Sequence, residues 1–232
     1  LKPLAITSNL NFASPLDPNI MGEIVLSING LRKSASQLDT PIVSGNVSLY
    51  NQTNDRPIKP TPVIGMVGFN DNYENIISNK FQNESDLIIL IGNTMSKNSS
   101  PYFLQDQLTV KKVTQFNELI DINYDLEKKN IKVLYNIFDH NLVTSCNDIS
   151  RGGVFLTLIK MLQNNYGFNI NIKDKFDIFC EYQAGYILTI NKNDYGSINN
   201  ILSPIFMNDS MKWMIIIIHC YSRFIPISYY IF

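Results

Sequence analysis

Gly45, Asn46 and Ser48 stand in one short run, Pro41-Ile42-Val43-Ser44-Gly45-Asn46-Val47-Ser48-Leu49-Tyr50-Asn51. A glycine has no Cβ, so a ligand can come within hydrogen-bond reach of its backbone. A carboxamide offers a neutral oxygen of the kind Mg²⁺ takes. A hydroxyl can donate to a carboxyl or phosphate oxygen. These parts suit an anionic ligand. No Lys or Arg occurs between Lys33 and Arg56, so a polyphosphate here must be neutralised by metal ions, whose carboxylates come from elsewhere. The run is part of a site and not a whole one. Small polar connections are common, and on composition alone the run reads as an ordinary solvated link between strands.

The elements around it follow from pattern. An apolar run entering Gly45 and a second one, Thr61 to Gly68, predict a strand, a loop that admits a ligand, and a return strand. Leu4 to Thr7 reads as a strand and Ser8 to Pro15 as a polar loop. Asp17 is placed to cap a helix with Pro18 in its first turn. Ile20, Ile24, Ile28, Leu31 and Ala35, with Met21 and Val25 beside them, carry that helix to about Leu38. Asn70 to Asp86 is polar and reads as a linker. Leu87 to Gly92 predicts a strand buried on both faces. Met95 to Gln107 reads as loop and turn, Leu126 to Phe138 as helix and Leu142 to Cys146 as strand. A helix from Val154 to Leu162 follows, then strands at Phe168 to Ile172 and Tyr186 to Ile190, and a short helix from Tyr195 to Leu202.

Met211 to Phe232 does not match the rest. It is aromatic and apolar without clean periodicity, and it holds the single tryptophan, Trp213. A membrane span needs ~20 mostly apolar residues; His219, Arg223 and Pro226 interrupt this one. The preferred reading is a tail never selected to pack, such as one read out of frame.

The chain has 232 residues, 45% apolar and 17% charged, which favours a globular fold over a disordered one. A formal net charge of -1 gives no reason to expect nucleic acid or an acidic membrane as partner. Cys146, Cys180 and Cys220 form no CxxC pair, which argues against zinc and a disulfide framework and fits a reducing cytoplasm. The first residues show no signal-peptide pattern, and the chain opens as if inside a buried strand.

Pro3-Leu-Ala-Ile-Thr-Ser-Asn-Leu-Asn-Phe12, the Pro41 to Asn51 run and Pro60 to Gly68 together resemble the synthetase (large) subunit of phosphoribosylformylglycinamidine synthase. Asn147 to Gly153 and Phe179-Cys-Glu-Tyr-Gln-Ala-Gly-Tyr-Ile-Leu-Thr189 resemble later parts of it, in the same order. The resemblance covers roughly residues 1 to 190. It implies an α/β fold with mixed sheets, of the aminoimidazole-ribonucleotide-synthetase-like superfamily. Residues 1–70 would be the end of an ATP-binding N-terminal domain, 71–203 a C-terminal domain, and 204–232 the atypical tail. The implied reaction converts formylglycinamide ribonucleotide to its amidine, with ATP, Mg²⁺ and ammonia from glutamine. ATP activates the amide oxygen as an iminophosphate, and ammonia displaces phosphate. By the same resemblance Gly45 and Ser8 are ATP contacts, Asn46 is a magnesium ligand and Ser48 touches substrate. Ser8 stands where the family usually has aspartate; serine donates a hydrogen bond but supplies no charge.

Other positions depart from the family. Asn147 and Arg151 replace the histidine and second aspartate of His-Asp-Ile-Ser-Asp-Gly-Gly, and Gly185 stands at a common arginine, which could leave Glu181 without a partner. The family chain carries two homologous halves, and its catalytic residues lie in the first, which this chain does not resemble. Half of an ATP-dependent carbon–nitrogen ligase site is therefore expected, completed by the missing half, with a glutaminase and a small bridging subunit as partners. The other reading is non-catalytic: a degenerate remnant or a partner-binding scaffold. His140, near a helix end, reads as a cap and not a base.

Overall fold

A computed structural model describes residues 2–71, 73, 76–92, 122–162, 167–169, 178, 181, 183–206, 214–216 and 219–221. The chain divides into two compact units, Leu1–Glu74 and Asn75–Phe232.

The first unit is a three-stranded sheet. Its centre is β1 (Lys2–Asn11), followed by helix α1 (Pro18–Gln37), β2 (Ile42–Ser48), a small hairpin of β3 (Gln52–Thr53) and β4 (Arg56–Pro57), and β5 (Thr61–Phe69). The order is β2-β1-β5, with β1 parallel to β2 and antiparallel to β5. Parallel neighbours need a crossover, and α1 supplies it. Asp17 caps α1 by accepting from Asn19 N at 2.8 Å, with proline in the first turn. Ile20, Ile24, Leu31 and Ala35 form its half-buried stripe. Ile6 and Leu10, both on one face of β1, are buried. The cap at Asp17 and the proline after it agree with the sequence pattern, whereas Ile28, Met21 and Val25 of the expected apolar stripe are exposed.

Two expectations change here. The strand expected to stop at Thr7 runs on to Asn11, and the loop expected around Gly45 is strand, since Thr7 to Asn11 pair residue by residue with Ser44 to Ser48. Polar residues are tolerated in mid-strand because Thr7, Asn9, Ser44 and Asn46 are exposed. The turn comes later, at Leu49 to Asn51, with Tyr50 in the left-handed region at φ 60.

The second unit is layered. Its sheet runs β10-β6-β9-β7, from β6 (Leu87–Ile91), β7 (Val143–Asp148), β9 (Tyr186–Ile190) and β10 (Met214–Ile216). Helices α2 (Tyr124–Asp139), α3 (Gly153–Met161) and α4 (Tyr195–Phe206) pack on it. A second pair is β8 (Gly167–Asn169) with β11 (His219–Tyr221). Side chains alternate along β6. Ile88 and Leu90 join Val154, Leu158 and Met161 of α3. Leu87, Ile89 and Ile91 join Val133, Leu134 and Ile137 of α2 and Ile198 and Leu202 of α4. The expected double burial of β6 is thus met by helices on both faces.

The expected linker is partly structure. Phe81 is fully buried in the α3-side core, and Ser78 O accepts from Cys146 N at 2.8 Å. Of the expected unpacked tail, Met214–Ile216 and His219–Tyr221 are instead hydrogen-bonded to β6 and β8. Met214–Ile216 thereby forms the outer strand beside β6, and His219–Tyr221 forms a separate pair with β8. The remainder of that stretch, the expected loop at Met95 to Gln107 and the end of the Phe168 strand lie outside the described residues. Among the described residues no helix is long and apolar enough to cross a membrane.

Among the described residues one carboxylate is buried, just before the inner strand β6. Asp86 is 2% exposed and accepts from Thr144 Oγ1 at 2.6 Å and Asn83 Nδ2 at 3.2 Å. Desolvation raises its pKa, opposed by those two hydrogen bonds. A native pKa above the unfolded value means that the stability Asp86 contributes is full below about pH 3.9 and is lost as pH rises through the native value. Asp86→Asn keeps the acceptor and removes the buried charge. It is expected to raise the urea midpoint of the second unit at neutral pH, and the gap to wild type should close on acidification toward pH 4. A gap that is constant over that range would contradict the assignment.

Candidate functional site

β1 and β2 place the four residues singled out in the sequence. Their register pairs Ser8 with Gly45, Asn9 with Asn46 and Asn11 with Ser48. Side chains alternate along a strand, so the four divide between two faces. Ser8 and Gly45 share the face of Ile6 and Leu10. Asn46 and Ser48 share the opposite face with Thr7, Asn9 and Asn11. A shallow groove of about 400 Å³ runs along β2, lined by Ser8, Leu10 and Ile42 to Val47. β2 is the outer strand of its sheet, so alternate backbone groups along it have no strand partner on that side. Contact with Gly45 is therefore available along the strand edge.

The fold gives glycine at position 45 a structural reason beside the expected one. A Cβ there would run into the carbonyl oxygen of Ser8. The close approach is between the chain's own strands. Gly45→Ala is expected to force β1 and β2 apart and to destabilise the first unit by about 1–3 kcal/mol, as overpacking does. Amide hydrogen exchange along Thr7 to Asn11 is the measurement, and unchanged protection would refute it.

The opposite face carries a polar ladder. Ser44 Oγ donates to Thr7 Oγ1 at 2.9 Å, and Asn46 Nδ2 donates to Asn9 Oδ1 at 3.3 Å. The Asn46 bond uses the amide nitrogen, which leaves its carbonyl oxygen as an acceptor. Asn9 and Thr7 were not singled out in the sequence. Their signal is the alternation of small polar residues along both strands, which resembles turn chemistry when either strand is read alone.

Ser48 is held by Asn51. Its Oγ lies 3.1 Å from Asn51 Oδ1 and 3.0 Å from Asn51 Nδ2. Asn51 Nδ2 also donates to Ser48 O at 2.9 Å and Phe12 O at 3.2 Å, and Asn51 N to Phe12 O at 3.1 Å. This side chain ties the end of β1 to the end of β2.

Magnesium fits this wall only in part. Asn46 supplies one neutral oxygen of the right hardness, but among the described residues no group of three or more His, Cys, Asp or Glu could hold a metal. An octahedral Mg²⁺ bound through carboxylates cannot be built from these residues alone.

Two family descriptions match. "AIR synthase related protein, N-terminal domain" covers residues 1–70, and "AIR synthase related protein, C-terminal domain" covers residues 83–198. The chain belongs to the AIR synthase related family. Similar curated proteins include the phosphoribosylformylglycinamidine synthase subunit PurL of Bartonella bacilliformis, 33% identical over 86% of this chain and 27% of that one. The same subunit of Pelagibacter ubique is 35% identical over 87% and 28%. The chain thus spans little more than a quarter of these relatives. Among solved structures, phosphoribosylformylglycinamidine synthase II of Thermotoga maritima superposes with a TM-score of 0.66 at 14% identity, over 94% of this chain and 34% of that one. Escherichia coli HypE, a hydrogenase maturation protein, gives 0.65 at 14% identity, over 95% and 68%. These structures establish the α/β fold. Other solved T. maritima PurL chains are complexes with ATP and with FGAR, and one is the assembly PurLQS.

The positions expected from the sequence to depart from the synthase pattern each have a place in the fold. Glu181 has a partner: its Oε1 accepts from Gly152 N at 2.9 Å, at the start of α3. A carboxylate at a helix N-terminus is favourable, so the replacement at Gly185 does not leave it alone. Gly185 is buried, and a Cβ on Gly92 would come within 3.0 Å of its Cα. Arg151 is exposed in the turn before α3, and Asn147 pairs with Ile187 in the sheet. His140 caps α2, with Nδ1 2.7 Å from Asn136 O. Burial, with Asp148 adding to it, pushes the Cys146 thiol up to about 12, so this cysteine is no nucleophile at neutral pH.

Proposed function

We propose that this chain supplies part of an ATP-dependent carbon–nitrogen ligase, phosphoribosylformylglycinamidine synthase. The observation that carries the reading is the 33–35% identity to PurL subunits over most of the chain, together with the β2 edge bearing Gly45, Asn46 and Ser48. On this reading residues 1–70 belong to the ATP-binding domain and 71–203 to the C-terminal domain. Gly45 and Ser8 meet ATP along the groove, Asn46 gives one oxygen to Mg²⁺, and Ser48 meets formylglycinamide ribonucleotide on the other face. Magnesium, when bound, neutralises the polyphosphate. This chain's part is to hold the nucleotide against a strand edge and to offer neutral oxygens. The metal carboxylates, the catalytic residues and most substrate contacts come from the half of the synthetase that this chain does not resemble. A glutaminase and a small bridging subunit deliver ammonia in the cytoplasm.

The surface of the first unit supports a missing neighbour. Val43, Val47, Val63, Ile64, Met66, Val67 and Phe69 of β2 and β5 are exposed, as are Met21, Val25, Leu26 and Ile28 of α1. Those of β5 lie on both faces of that strand, and exposed apolar residues in such number are of the kind a partner surface covers.

The second reading, a non-catalytic scaffold or remnant, is favoured by Ser8, Asn147, Arg151 and Gly185, where the family's charged groups are replaced. The two are separated by supplying the first half of a relative's PurL in trans. The enzyme reading expects amidine product with the pair and none with this chain alone. In that pair Asn46→Ala is expected to weaken Mg-ATP binding at least about tenfold, the equivalent of one lost charge-assisted ligand, with the circular dichroism unchanged. Calorimetric titration checks it; undiminished binding removes Asn46 from the metal's shell.

A further inference from the structure

The Ser48–Asn51 pair fixes which way a hydroxyl points its proton. Asn51 Nδ2 carries two protons and has three acceptors in range: Ser48 O at 2.9 Å, Phe12 O at 3.2 Å and Ser48 Oγ at 3.0 Å. Asn51 Oδ1 is an acceptor only, and the donor facing it is Ser48 Oγ at 3.1 Å. One allocation uses every group. The two amide protons go to the main-chain oxygens of Ser48 and Phe12, and the Ser48 hydroxyl donates to Oδ1. The half-buried corner favours that allocation, since an unmet acceptor there costs about 1–3 kcal/mol. The main-chain bonds also hold the carboxamide against flipping. Asn51 is anchored at both strand ends, and Phe12 beneath it is fully buried.

We propose that Asn51 is a positioning residue that holds the Ser48 hydroxyl as a hydrogen-bond acceptor toward ligand, so that this strand end selects an N–H or O–H group of the substrate and not a phosphate or carboxylate. The inference rests on the reading above that Ser48 meets substrate. It reverses the role expected of Ser48 from the sequence, that of a donor to an anionic oxygen. With its proton committed, the oxygen keeps lone pairs for an incoming donor and would repel an anion.

Two experiments separate this inference from the reading beneath it. The first uses the full chain alone. Side-chain amide exchange of Asn51 is followed by NMR in wild type and Ser48→Ala. Both Nδ2 protons are expected to keep their protection, since both are held by main-chain oxygens; loss at one of them would show that Nδ2 serves the hydroxyl and would overturn the proposal. The second uses the chain paired with a relative's first half, with formylglycinamide ribonucleotide and inorganic phosphate as probes. Ser48→Ala should lower ribonucleotide affinity on the order of tenfold, the scale of one hydrogen bond, and leave phosphate affinity within about twofold. An equal fall for both probes makes Ser48 a phosphate donor and defeats the proposal. No change for either, with the NMR result intact, removes Ser48 from the substrate site, and the underlying reading fails there. Asn51→Ala should free the hydroxyl and reduce the preference for ribonucleotide over phosphate. An alanine variant with unaltered preference would refute the positioning role.

Discussion

The pairing of β1 with β2 is the constraint from which the rest of the first unit follows. One register, Ser8 to Gly45, decides which face every neighbouring side chain takes. It seats Ile6 and Leu10 on one side and Thr7, Asn9 and Asn46 on the other. A slip of one residue would exchange the two sets. The crowded contact between position 45 and the Ser8 carbonyl guards against a larger residue on β2, while the Asn46–Asn9 and Ser44–Thr7 bonds hold the polar set in step.

The candidate site is thus a property of an edge and not of a cavity. Its groups are distributed on both sides of one outer strand, with a groove along it and polar residues behind. Such an arrangement binds little alone, because a ligand touching it would stay open to water on its far side. The same geometry is effective when a second surface closes over it. The exposed apolar residues of β5 and α1 are of the kind that such a surface would cover.

Much of this was legible in the sequence, for identifiable reasons. Asp17-Pro18 and the spacing from Ile20 to Ala35 specify a capped helix by local chemistry. Leu87 to Ile91 specifies a doubly buried strand because nothing polar interrupts it. The residues around Gly45 suggest a loop since small polar side chains signal turns when read locally, whereas the partner strand, more than thirty residues away, makes them strand. Glu181 could not be placed from sequence either: its partner is a main-chain N–H on another element, and backbone donors leave no trace in residue identity. Asn51 carries no signal of its own in the sequence, because its meaning lies in two main-chain acceptors and one hydroxyl donor that only the fold assembles.

The two units differ in what holds them. In the second, aliphatic side chains on both faces of β6 are sealed from water. In the first, α1, β2 and β5 contain no buried residue, and the sealed apolar groups belong mainly to β1 and the turn after it. Heat-capacity change on unfolding and denaturant sensitivity both scale with the surface newly exposed. The N-terminal portion should therefore melt over a broad interval with a small heat-capacity step, ahead of a sharper transition from the remainder, and a calorimetric trace of the chain would not be that of a single cooperative body.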